Sequence, residues 1–66
     1  MLTTDQNFVL LSEDNTYYVE YLIGHLVLAN SITEAVIFDS QVQAVKFQKY
    51  LYKHCSIKFS VNTFIQ

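Results

Sequence analysis

The sequence predicts a small α+β fold: an antiparallel meander of three or four short strands, one α-helix packed on one face, and a C-terminal strand, in the order β-β-(β)-β-α-β. Three observations predict it. Aromatic and β-branched residues cluster in short runs separated by turn formers up to Phe38; the apolar spacing then changes to nearly 3.6 residues; and it returns to two at the end of the chain. With 66 residues there is room for a single domain, 1–66, which removes only about 60% of its unfolded surface from water on folding. A composition 52% hydrophobic and 15% charged, with one glycine and no proline, is that of a folding chain and not a disordered one.

Phe8 to Leu11 is the first strand, ended by the turn formers Glu13-Asp14-Asn15-Thr16. Tyr17 to Ile23 is the second, pairing with the first as a hairpin, and Gly24-His25 supplies the next reversal. Leu26 to Ala29 either extends the sheet or passes over its edge, with Asn30-Ser31 as a turn. Ala35-Val36-Ile37-Phe38 reads as a compact buried strand. A helix is expected from about Gln41 to His54, capped by Asp39 or Ser40, with Lys46, Lys49 and Lys53 toward the end where the helix dipole favours cations. Ile57, Phe59, Val61, Thr63 and Ile65 alternate with Lys58, Ser60, Asn62 and Phe64, the period of a strand with one buried face.

Charge is segregated. All six acids lie in the first 39 residues and all four lysines after them, so complementary halves can attract within one chain or between two. There is no arginine, the side chain best suited to phosphate and guanine, and nucleic acid is a disfavoured partner. The longest apolar run, Tyr21 to Ala29, is broken by Gly24 and His25 and is shorter than the roughly 20 residues of a membrane span. A lone Cys55 has no intramolecular disulfide partner, and Met-Leu-Thr-Thr-Asp lacks the features of a secretory signal, so a reducing cytoplasm is the expected setting.

The residues Ala35, Phe38, Asp39, Ser40, Ala44 and Phe47, with Tyr17-Tyr18 upstream, resemble a pattern of small uncharacterised phage and prophage proteins: Ala-x-x-Phe-Asp-Ser/Thr-x-x-x-Ala-x-x-Phe. The resemblance covers roughly residues 16 to 53 and implies a fold, not an activity. The reason for the spacing is geometric: the strand ends at Phe38, Ser40 caps the helix, Ala44 permits close helix–sheet approach, and Phe47 fills the next turn. In outline the order is also similar to the three-strand-plus-helix arm-binding domains of phage integrases. Those are rich in lysine and arginine, and the acidic meander here departs from them.

No motif carries catalysis or a cofactor. His54 and Cys55 are adjacent, so on a helix they point about 100° apart, and neither His25 nor Asp39 completes a chelating spacing; no metal is expected. Gly24 is the sole glycine, which excludes a phosphate-cradling loop, and Glu13-Asp14 in a turn reads as solvated. The chain is therefore expected to be non-enzymatic. Its apolar surface is the stronger signal. The helix projects Ala44, Phe47, Leu51 and Cys55 in one stripe, with Tyr50 on one flank and Val45 and Tyr52 on the other, an apolar arc of about 220°. Strict alternation sends Tyr17, Val19, Tyr21 and Ile23 to one sheet face, with Phe59 and Val61, and Tyr18, Leu22 and Phe64 to the other, which one helix cannot cover. Tyr18, Leu22, Val45, Tyr52 and Phe64 are thus the expected interface residues of a protein that works by association, most simply as a homodimer through the open sheet face or a free strand edge. The alternatives are a nucleic-acid-binding accessory domain using Lys46, Lys49, Lys53 and Lys58 with Tyr17, Tyr18 or Tyr21 stacking on bases, and an inhibitor covering a basic surface of a host protein.

Overall fold

A computed structural model describes residues 7–64; Ile65, expected to continue the last strand, lies outside the described residues, as does the N-terminal segment read for a signal. The described chain forms β1 (Asn7–Ser12), β2 (Tyr17–Leu22), β3 (His25–Ala29), a 3-10 turn (Ile32–Glu34), α1 (Gln41–Cys55) and β4 (Phe59–Phe64). The four strands make one antiparallel sheet in the order β3-β2-β1-β4 with the helix on one face, the α+β class that the periodicities predict.

Each boundary has a local cause. Between β1 and β2, the Ser12 hydroxyl is 2.7 Å from that of Thr16 and accepts from the amides of Asp14 and Thr16, so this buried polar residue is satisfied by the turn that it organises. Asn15 takes φ 64°, a conformation that Asn tolerates better than most residues. The β2–β3 reversal uses Ile23 (φ 50°) and Gly24 (φ 74°), both in the left-handed region as a two-residue primed turn requires. Ile23 therefore belongs to the turn and not to the strand. Of the two expected caps it is Ser40 that acts, its hydroxyl accepting from Gln43 N–H at 3.2 Å. The helix ends at Ser56, whose backbone is left-handed (φ 59°) and whose amide donates to the Tyr52 carbonyl at 3.0 Å.

Leu26 to Ala29 does join the sheet. Ala35 to Phe38, read as a strand, does not form one: its sheet pairing is an isolated bridge between Phe38 and Phe8. The amide of Val36 donates to the Tyr18 carbonyl at 3.0 Å, so this segment is bonded to β1 at one end and to β2 at the other. It lies where the two strands diverge, since their register contains the single pair Leu11–Tyr17. Of this run only Phe38 is buried, and Ile37 is exposed, so the segment is tied to the sheet at single points without a ladder along its length.

Strict alternation also fails in β2. A bulge between Tyr18 and Glu20 shifts the register against β3, and the extra residue brings Tyr18 and Tyr21, three apart, to the helix side. Tyr18, expected on the uncovered face, is only 5% exposed and sits in the core with Phe8, Leu10, Phe38, Ala44, Leu51 and Phe59. Tyr21, Leu26, Leu28, Val36, Ile57, Val61 and Cys55 pack around that core. Tyr17, paired with Leu11, faces the opposite side, so the expected set of Tyr17, Val19 and Tyr21 is divided. The helix buries just Ala44 and Leu51 fully, and packs over β1 and β4. Gln48 fixes that docking by donating from Nε2 to the Phe59 carbonyl at 2.7 Å.

Candidate binding surface

Because the helix lies over β1 and β4, the helix-side face of β2 and β3 is left partly open, and aromatic rings line the boundary. Tyr18 stands at the centre, with ring centroids 6.3 Å from Phe38, 6.2 Å from Phe47 and 6.2 Å from Phe59. Phe38 and Phe47 are 5.2 Å apart, and the row continues through Phe47–Tyr50 at 6.4 Å to Tyr50–Tyr21 at 6.0 Å. These are offset and edge contacts, the favourable arrangements for rings, and they pass from a buried centre to an exposed rim. His54 closes the end of the row, 4.3 Å from Tyr50.

Between α1 and β2 this row walls an open cleft of about 570 Å³, lined by Tyr18, Tyr21, Phe47 and Tyr50, with Glu20, Leu22 and Lys46 at its margin. A smaller hollow of about 310 Å³ on the other flank of the helix is lined by Gln48, Lys49, Tyr52, Lys58 and Phe59. Burial pushes the Tyr18 hydroxyl above its ordinary pKa, with a smaller upward contribution from Glu20, while the backbone of Tyr21 acts the other way. Tyr21 is also raised, first by desolvation and then by the neighbouring Cys55 thiol and Tyr50.

The five residues expected at an interface do not share one surface. Tyr18 is in the core. Leu22 is 61% exposed at the end of β2, beside the aromatic cleft. Val45 is half-buried, and Tyr52 is exposed on the flank of α1 facing Lys58 and Phe59. Phe64, paired with Asn7 on the sheet face away from the helix, is half-buried. The spacing of the sequence missed Ile23, which is 102% exposed, and Tyr50 and Phe47 as surface residues. Tyr50 follows Phe47 by three residues, so their shared flank was readable; that β2 meets them with only Tyr18 and Tyr21 and leaves them partly exposed was not.

Among the described residues no group of three or more His, Cys, Asp or Glu is placed to hold a metal ion, and Cys55 is a free, half-buried thiol. Among the same residues no helix is long and apolar enough to cross a membrane. No protein-family model, curated protein or solved structure matches this chain. What defines the surface is an antiparallel sheet half covered by a helix, with aromatic and aliphatic side chains open on its β2–β3 side.

Proposed function

We propose that this is a small non-enzymatic protein that acts through protein–protein association, most simply as a homodimer. The observation that carries this reading is the open cleft between α1 and β2, lined by Tyr18, Tyr21, Leu22, Phe47 and Tyr50, of which Leu22, Phe47 and Tyr50 are exposed large apolar residues. Tyrosine and phenylalanine suit such a role, since each contributes large contact area for few frozen rotors. The proposal includes a cytoplasmic setting, supported by the lone cysteine, and a phage or prophage origin, supported by the pattern from Ala35 to Phe47. The partner is a second copy or a host protein; the acidic first part of the chain favours a basic surface in the latter case.

The test is solution mass across a concentration series into the millimolar range. A rising mass supports association of like chains, and Leu22→Glu shifts it toward monomer by placing an unpaired charge in the contact. Lys49→Glu, on the other flank of the helix, leaves the mass unchanged. A protein that stays monomeric throughout overturns the homodimer and leaves a heterologous partner for the same surface.

A second reading rests on the exposed Lys46, Lys49 and Lys53 of α1, interleaved with exposed Tyr50 and Tyr52. That combination is suited to a single-stranded nucleic acid, with phosphates on the lysines and bases on the rings. Tyr18 drops out of that role because it is buried. Binding of an oligonucleotide that weakens steeply with salt supports this reading; no binding at low salt removes it.

A further inference from the structure

Among the described residues, the strand that ends the sheet on the β2 side, β3, has a neighbour along one edge, and its own composition does nothing to blunt the other. Sheet edges in soluble proteins are blunted by lysines, prolines, bulges or inward charges, because a row of free N–H and C=O groups recruits another strand. The sequence His25-Leu26-Val27-Leu28-Ala29 has no lysine, no proline and no carboxylate, and the bulge in this hairpin falls on β2. The other edge, β4, is protected by comparison: Ser60, Asn62 and Thr63 interrupt its apolar residues and Lys58 precedes it. The exposed apolar residues Leu22, Phe47 and Tyr50 line the cleft beside β2, and exposed Ile23 sits in the turn that leads into β3.

The geometry points to antiparallel pairing of β3 with β3 of a second copy, giving one continuous eight-stranded sheet across a two-fold axis at Val27. This rests on the association proposed above and names its surface. The register follows from the hairpin. A two-residue turn makes its flanking residues, Leu22 and His25, a hydrogen-bonded pair, so along the unbulged β3 the backbone groups of His25, Val27 and Ala29 face β2. Those of Leu26 and Leu28 face outward. Two such edges meet best with Leu26 opposite Leu28 of the second copy and Leu28 opposite its Leu26, which matches every outward donor with an acceptor. Val27 then meets Val27 of the second copy as the close, non-hydrogen-bonded pair. On the helix side, Leu26 and Leu28, which already pack against the core, join those of the second copy. An antiparallel pair of identical strands is two-fold by construction, so one patch serves both chains. The pairing places no charged carboxylate or ammonium group opposite another like it.

The experiment combines solution mass with site-specific cross-linking in a Cys55→Ser background. Val27→Cys places thiols at the proposed axis, where a non-hydrogen-bonded antiparallel pair has the short Cβ separation that a disulfide needs. Mild oxidation is expected to yield a covalent dimer for Val27→Cys and not for Asn62→Cys on β4. Val27→Lys, with circular dichroism to check that it folds, opposes two ammonium groups at the axis. It is expected to move the dimerisation midpoint to a concentration about tenfold higher or more. A dimer by mass that neither cross-links through Val27→Cys nor weakens with Val27→Lys overturns the β3 pairing and leaves the association reading standing. A protein that is monomeric at every concentration overturns both.

Discussion

Phe8 and Phe38 exchange both of their backbone hydrogen bonds, each 2.8 Å long, and this one bridge stands where a full strand pairing was expected. Phe8 also lies opposite Thr63 of β4, so β1 is flanked on both sides at this point. The bridge delivers Phe38 under Tyr18 and against Phe47, and two residues later Ser40 starts the helix. One backbone contact thus ties the sheet, the aromatic row and the helix start together.

Ala44 is fully buried where α1 approaches the sheet. Ala44→Leu is expected to lower stability by roughly 1–3 kcal/mol through overpacking. Thermal denaturation is the check, and an unchanged melt would mean that the helix is not seated on Ala44.

Removing the helix cap tests which of two neighbouring residues acts. Ser40→Ala is expected to destabilise by about 1 kcal/mol, since the Gln43 amide loses its acceptor. Asp39→Ala has no such bond to lose and should change the denaturation midpoint much less. Equal losses would assign the cap to both.

Ile23 is β-branched, exposed and in the left-handed region, which is unfavourable for an L-residue by about 1–2 kcal/mol. Asn is the favoured residue at this position of a primed turn before Gly. Ile23→Asn is therefore expected to raise the melting temperature, by about 4–8 °C for each kcal/mol recovered. A lower melting temperature would show that the isoleucine side chain makes a stabilising contact in solution.

The raised pKa of Tyr18 makes stability fall at alkaline pH. Burial favours the neutral phenol, so the folded state holds its proton more tightly than the unfolded chain does. That contribution is complete below the unfolded value of about 10 and is lost as pH rises through the folded value. Denaturation midpoints measured above pH ~10 should decline for the native chain and decline less for Tyr18→Phe. Identical alkaline profiles would place the Tyr18 hydroxyl in water.

The sequence by itself determined the elements whose signals are local. Ser40 ahead of a 3.6-residue period sets the start of α1, Gly24 sets the reversal between β2 and β3, and alternation from Phe59 to Phe64 sets β4. These depend on caps, φ preferences and periodicity, which act within a few residues. The tertiary structure decided what depends on distant partners. The run from Ala35 to Phe38 has strand composition, yet whether it forms a strand depends on neighbours, and the diverging β1 and β2 admit it at single points. Tyr18 changed faces because a bulge breaks the alternation that any reading by twos assumes, and a bulge is set by pairing between strands. The position of the helix over β1 and β4 likewise left β2 and β3 open and turned Phe47, Tyr50 and the β3 edge into surface. Periodicity fixes which face of an element is apolar; only the packing of the whole chain fixes which apolar face is covered.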